Sequence, residues 1–111
     1  MKRLVLLFAA VAFNVSAATT YTKEELSNMD AAGQYPAQGS PVTKSVENVS
    51  FDECKSSARD IMNQIAGNYP AKEVVDTGVL YIVKIWTNDG VIMVSCSGPD
   101  NKKVVTQSDY E

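Results

Sequence analysis

Residues 79–96, VLYIVKIWTNDGVIMVSC, decide the fold, because two runs of β-branched and aromatic residues flank a polar break at Asn88-Asp89-Gly90. An Asp-Gly pair between such runs is typical of a tight β-hairpin. With Asp89 and Gly90 as the two turn residues, Val83 lies opposite Cys96. Successive side chains in a strand point to opposite faces of the sheet. One face therefore carries an apolar set: Val79, Tyr81, Val83, Ile85, Ile92, Val94 and Cys96.

An amphipathic helix precedes this hairpin. Ser50 and Glu53 form a capping box, which is a helix-start signal. Gly67 and Pro70 stop the helix. The pattern predicts a helix over 51–66, with apolar residues recurring at steps of three and four: Phe51, Cys54, Ala58, Ile61, Met62 and Ile65.

The two cysteines, Cys54 and Cys96, connect these elements. Cys54 lies on the apolar stripe of the helix and Cys96 on the apolar face of the hairpin, so a bridge would hold the helix over the sheet. A redox pair usually has the spacing C-x-x-C, which the sequence lacks. We therefore expect a structural disulfide. The loop of roughly 40 residues that it closes is worth about 4 kcal/mol in the chain-entropy model.

The remaining segments complete an α+β prediction. Thr22 and Glu25 form a second capping box, at the start of a short helix over 23–32. Residues 33–41 form a loop and residues 108–111 a loose tail. The predicted fold is one main amphipathic helix on a three- or four-stranded antiparallel sheet, plus the short N-terminal helix and one disulfide. The expected strands come from these segments: 42–48 as an edge strand, 73–76, 79–87, 91–96 and 102–107.

The N-terminus has the pattern of a secretory signal peptide. Lys2 and Arg3 precede the apolar stretch 4–13, and Val15-Ser16-Ala17 supplies small residues for cleavage after Ala17. We expect export to the periplasm and no membrane span in the mature chain. The domain division is then a signal peptide at 1–17, an N-terminal helix and loop at 18–41, and an α+β domain at 42–111.

The composition excludes several functional classes. The chain has 10 cationic and 13 acidic residues and no histidine, for a net charge of −3. Such a balance disfavours nucleic-acid binding. Without histidine there is no Ser-His-Asp triad and no ordinary zinc site. The chain has no P-loop, G-x-G-x-x-G or G-x-S-x-G motif. We expect a non-enzymatic protein without catalytic residues, metal or cofactor.

The second face of the hairpin is also apolar, with Leu80, Ile82, Trp86, Val91 and Met93. A sheet with one wet side should alternate apolar with polar residues, and an exposed patch of this kind marks an interaction site or a hidden core. Three explanations stay open. Residues 21–41 fold over the face, a protein partner or a second copy covers it, or the register is displaced.

The predicted contact surface combines this face with the polar turn at 97–103: Leu80, Ile82, Trp86, Met93, Asp100 and Lys102. The leading hypothesis is a protein-binding module whose partner is another envelope protein or a second copy of the chain. An inhibitor or immunity-type protein against a basic envelope enzyme fits, because opposite net charge speeds encounter. The alternative is a small-ligand carrier that uses the apolar sheet face as a pocket wall.

Overall fold

A computed structural model describes residues 19–111, so the predicted signal peptide at 1–17 lies outside the described residues. The chain has the predicted α+β fold, with two helices, one antiparallel sheet and one disulfide. The elements in chain order are α1 (Lys23–Ala31), β1 (Val42–Asn48), α2 (Phe51–Ile65), β2 (Ala71–Asp76), β3 (Leu80–Trp86), β4 (Gly90–Ser97) and β5 (Lys102–Asp109).

The sheet has five strands in the order β1-β5-β4-β3-β2, where three or four were expected. Strands β2 to β5 follow one another as a meander, and β1 pairs with the free side of β5. All seven residues of β1 are exposed. The hydrogen bonds to β5 define this strand, and side-chain burial does not, which explains why its sequence shows no clear alternation.

The β3–β4 hairpin has a different turn from the predicted one. Asn88 and Asp89 form the turn, and the Thr87 amide and hydroxyl donate to the Gly90 carbonyl at 2.9 and 2.8 Å. Tyr81 therefore lies opposite Cys96, whereas Val83 was expected there. The register differs by two residues from the prediction. A shift of two keeps the side chains within β3 and β4 on their predicted faces, whereas a shift of one would exchange the faces. The prediction was wrong for Val79, which was expected on the core face but precedes β3 and is 58% exposed.

The main core lies between α2 and one face of the sheet. Tyr81, Val83 and Ile85 of β3 are fully buried there against Ala58 and its neighbours on α2. The predicted Cys54–Cys96 disulfide joins helix to sheet, with a Cα–Cα distance of 5.8 Å. Both cysteines are buried, at 1% and 0% exposure. The disulfide is therefore part of the core, where solvent does not reach it.

Both helices begin at the predicted caps. The Thr22 hydroxyl accepts from the Glu25 amide at 3.1 Å, and the Glu25 carboxylate accepts from the Thr22 amide at 2.8 Å. The Ser50 hydroxyl likewise accepts from the Glu53 amide at 3.2 Å. These bonds satisfy amides that have no partner within the helix.

The C-terminal tail is ordered, contrary to the prediction of a loose end. Strand β5 continues to Asp109, and Ser108 is 2% exposed. Tyr110 is 6% exposed and its hydroxyl donates to the Thr87 carbonyl at 2.7 Å. The tail is polar in sequence, but its backbone and its one aromatic ring are held by the N-terminal segment and by the β3–β4 turn.

Gly90 allows a close approach between β4 and β5. A Cβ atom at this position would lie 2.3 Å from the Ser108 carbonyl oxygen. We predict that Gly90→Ala lowers the free energy of unfolding by about 2–3 kcal/mol, because backbone atoms must move to admit the methyl group. Chemical denaturation measures the effect. Gly78→Ala is the matched control, since Gly78 occupies the β2–β3 turn with no atom within 4 Å of the added Cβ. Equal stability of the two variants would contradict the prediction.

Candidate binding surface

The face of the sheet opposite α2, called the outer face, divides into two halves. At one end, Trp86 of β3, Val91 of β4 and Ser108 of β5 lie side by side. At the other end, Leu80, Ser97, Lys102 and Asn48 form the last row across the strands. Strand register sets these rows, because it places residues from distant parts of the chain side by side.

The N-terminal segment, residues 19–41, covers the Trp86 end. Tyr35 stacks on Trp86 with ring centroids 4.3 Å apart and planes inclined by 19°. Leu26 of α1 is 1% exposed and belongs to the same buried cluster. Trp86 is 3% exposed, so it lies in a second core beneath the segment and outside the exposed part of the outer face. The expected cover by residues 21–41 is present at this end.

Hydrogen bonds anchor both ends of the N-terminal segment. The Tyr21 amide donates to the Asn88 carbonyl at 3.0 Å, and the Asn88 side chain donates to the Tyr21 carbonyl at 2.7 Å. Near its other end, the Gly39 amide donates to the Asp109 carbonyl at 2.8 Å. The segment is therefore an integral part of the fold.

An ion pair joins the N-terminal segment to β2. The Asp30 carboxylate lies 3.3 Å from the Lys72 ammonium group and accepts a hydrogen bond from the Tyr35 hydroxyl. The Tyr35 hydrogen bond and the Lys72 charge hold the pKa of Asp30 below its ordinary value. Tyr35 is thereby held flat against Trp86.

The other half of the outer face is open. One row crosses all five strands, with Val75 on β2, Ile82 on β3, Ser95 on β4, Val104 on β5 and Val46 on β1. In this row Val46 is 55% exposed and the other four residues are partly exposed. Leu80, in the neighbouring row, is 36% exposed. These side chains belong to neither buried cluster. We call the following six residues the outer patch: Val46, Val75, Leu80, Ile82, Met93 and Val104.

The β4–β5 turn borders the outer patch. Its backbone is held where the Gly98 amide donates to the Val79 carbonyl at 2.8 Å. The Ser97 hydroxyl donates to Asp100 at 3.2 Å, and Lys102 donates to the Asn48 side chain at 2.6 Å. Of the residues proposed from sequence, the structure therefore brings Leu80, Ile82, Met93, Asp100 and Lys102 to one half of the face and places Trp86 at the other.

The outer patch contains residues that sequence reasoning missed. Val46, Val75 and Val104 come from strands far apart in the chain, and the register of β1, β2 and β5 places them in one row with Ile82. The valines themselves were visible in the sequence. Their common row was not, because strand order and register are tertiary properties.

The two edges of the sheet are unsuited to strand addition. Strand β1 has an irregularity between Thr43 and Ser45, and β2 has one between Glu73 and Val75. Bulges bend an edge strand and interrupt its row of free backbone groups, and a lysine such as Lys44 at the bulge of β1 adds to this effect. The open part of the sheet's face is therefore the better contact surface.

The opposite side of the molecule is polar. Lys55 of α2 pairs with Asp76 at 2.9 Å, and Arg59 pairs with Glu73 at 3.3 Å. Polar side chains also line a surface cleft of about 400 Å³ along α2: Asp52, Lys55, Ser56, Arg59, Asp60 and Asn63.

Among residues 19–111, no group of three or more His, Cys, Asp or Glu residues is placed to hold a metal ion. Within the same residues, no helix has the length and apolar character needed to cross a membrane.

Comparison of the chain with protein-family models, with curated proteins and with solved structures gives no match.

Trp86 tests the division of the outer face into a covered and an open half. We predict that Trp86→Ala lowers the free energy of unfolding by about 3–5 kcal/mol, because it leaves a cavity beneath Tyr35. Trp86→Phe should cost less, since it keeps a ring and removes an indole N–H that has no hydrogen-bond partner in residues 19–111. Urea denaturation measures both. Unchanged stability in Trp86→Ala would mean that the segment does not cover this residue.

Two buried tyrosines predict a loss of stability at high pH. Burial and the hydrogen bond to Glu73 raise the pKa of Tyr81 to about 12, and burial raises the pKa of Tyr110 to about 12, from an ordinary value of 10.0. The neutral phenols are favoured in the folded state. Their contribution to stability is complete below pH 10 and is lost as the pH rises from 10 to about 12.

Absorbance titration of tyrosinate in the folded protein should show two late-ionising groups. Tyr81→Phe and Tyr110→Phe should each remove one of them. A wild-type protein whose tyrosines all titrate near pH 10 would contradict the buried placement of these rings.

Proposed function

We propose that this protein is an exported, non-enzymatic protein-binding module and that the outer patch is its contact surface. The observation that carries the proposal is the row that crosses all five strands with four apolar residues and Ser95, and that stays open beside the N-terminal segment. Folded monomers rarely expose contiguous apolar patches of large area, and those that persist commonly mark interaction sites.

The support beneath the patch suits a binding surface. Strand β3 has the α2 core on one side and the Trp86 cluster at one end of the other side, and the Cys54–Cys96 disulfide joins α2 to the neighbouring central strand β4. A surface held in place before binding loses little conformational entropy when a partner docks. Residues on regular strands are also positioned more accurately than residues on loops.

A protein partner suits this surface better than a small ligand does. A carrier needs a concave, mostly apolar pocket. The clefts along α2, beside Gly39 and beside α1 have largely polar linings and contain none of the six outer-patch residues. The patch is a sheet face, and a broad apolar face matches the surface of another macromolecule.

Export is part of the same proposal. Its support is the N-terminal pattern of residues 1–17, together with a buried disulfide that is compatible with an oxidising compartment. If the partner is an enzyme, the module acts as an inhibitor or immunity-type protein, and an assay of that enzyme then reports the function directly.

Site-specific photo-crosslinking tests the contact surface. A photoreactive residue is placed at Ile82, in the outer patch, or at Asn63, on the exposed side of α2, and the protein is produced in cells that naturally make it. We expect a discrete adduct from position 82 and none from position 63. Mass spectrometry identifies the partner, which is then purified for binding measurements.

In those measurements, Ile82→Asp should weaken binding at least about 10-fold, because it places a charge in the apolar centre of the contact. Asn63→Asp adds the same charge on α2 and should leave binding unchanged. No adduct from position 82, or equal adducts from both positions, would refute the assignment of the outer patch.

A further inference from the structure

The outer face carries lysines and no carboxylates at the outward positions of its strands. Register places Lys72 on β2, Lys84 on β3 and Lys102 on β5 on this face. Residues 19–111 are acidic overall. They hold all 13 acidic side chains of the chain but not Lys2 and Arg3, which are two of its ten cationic residues. Charge is therefore separated between the outer face and the rest of the surface.

Three carboxylates on the α2 side of the sheet are already paired. Glu73 and Asp76 contact Arg59 and Lys55 of α2. Glu47 of β1 lies 3.8 Å from Lys103 on the same side. These pairs are internal to the fold, so their carboxylates do not compensate the lysines of the outer face.

Two of the outer-face lysines have no ion pair within residues 19–111. Lys72 is bound to Asp30, whereas Lys84 lies 5.4 Å above the Trp86 ring and Lys102 is bound to the neutral side chain of Asn48. Asp100, in the β4–β5 turn outside the strands, accepts a hydrogen bond from the Ser97 hydroxyl and forms no ion pair with Lys102. Lys84 and Lys102 are thus available to an external anion.

These two lysines lie on either side of the apolar row. Lys84 is in the row next to Ile82 toward the covered end, and Lys102 is in the row next to Val104 toward the open end. From strand spacing and rise, their Cα atoms are about 16 Å apart. A partner that fits must present apolar side chains between two negative groups at a comparable separation.

A second copy of the chain does not meet this requirement through the same face. Two outer faces packed together would bring lysines near lysines, and the outward positions of these strands supply no carboxylate to separate them. Like charges brought together in an interface disfavour the complex. The charge pattern favours a different protein.

We propose that the partner is a protein surface or segment in which carboxylates flank an apolar strip, with Lys84 and Lys102 receiving those carboxylates. This inference rests on the proposed function, because it names the chemistry of the partner at the same outer patch. The local charge of this face is positive, opposite in sign to the net charge of the chain.

Selection of random peptides displayed on phage tests the proposal. Peptides are selected on the wild-type protein and depleted on the Ile82→Asp variant, so that those retained require the outer patch. We expect retained sequences to combine apolar residues with Asp or Glu. Lys84→Glu and Lys102→Glu should each weaken the binding of synthetic copies of these peptides at least about 10-fold. Binding to the wild-type protein should fall with added salt.

Lys23→Glu is the control variant, since Lys23 is exposed on α1, outside the outer patch, and has no ion pair within the described residues. It should change peptide affinity by less than about 2-fold. Retained peptides that are neutral or basic, or that bind both outer-face lysine variants normally, would overturn the acidic-partner proposal and leave the protein-binding proposal intact. If no peptide requires Ile82 and position 82 gives no crosslink, both proposals fail.

Two further measurements distinguish other occupants of the patch. Cosedimentation uses vesicles of phosphatidylglycerol and phosphatidylcholine with the wild-type, Ile82→Asp and Lys84→Glu proteins. If the wild-type protein binds vesicles and both variants do not, the occupant of the outer patch is a membrane surface and not a protein partner. If sedimentation equilibrium finds a wild-type dimer that is lost in Ile82→Asp, the occupant of the outer patch is a second copy of the chain. We expect a monomer without vesicle binding.

Discussion

The structure depends on one constraint, which is that both faces of the β3–β4 hairpin are apolar. A single helix can cover only one face of a sheet. Helix α2 covers the first face, and the Cys54–Cys96 disulfide joins the helix to β4 in the middle of that core. The second face requires another cover, and the N-terminal segment supplies it with Leu26 and Tyr35. Both layers exist because successive residues of the hairpin are apolar, so apolar side chains point to both of its faces.

The N-terminal cover is partial for a geometric reason. Its anchors are the β3–β4 turn at Asn88 and the end of β5 at Asp109, and both lie at the same end of the sheet. Tyr110 joins this end, because its ring packs edge-on against Tyr21 at 4.9 Å. A segment tied at one end of the sheet protects the Trp86 row and leaves the Ile82 row open. The open patch is thus a consequence of where residues 19–41 are attached to the sheet.

Charge follows the same two-sided arrangement. On the α2 side, carboxylates and cations from helix and strands form ion pairs within the molecule. On the outer face, the strands contribute Lys84 and Lys102 without such partners among the described residues. Net charge describes long-range encounter, whereas a docked complex responds to the charges at the contact. For this protein the two differ in sign, and the proposed partner chemistry follows from the local one.

The amino-acid sequence by itself determined the local elements and the two faces of the hairpin. The capping residues Thr22 and Ser50, the apolar stripe of α2 and the period-two pattern of β3 all act over a few residues, so they can be read directly. The disulfide also followed, because Cys54 and Cys96 fall on facing apolar surfaces. Even the misplaced turn kept the faces, since the register moved by two residues.

Only the tertiary structure decided the place of β1 in the sheet, the ordered tail and the composition of the outer patch. Strand β1 has no buried side chain, and its place beside β5 rests on backbone hydrogen bonds that no local pattern encodes. Val46, Val75 and Val104 join Ile82 because the strand order β1-β5-β4-β3-β2 aligns them. Contacts between distant segments depend on how whole elements pack, and that packing is absent from the period and composition of any one segment.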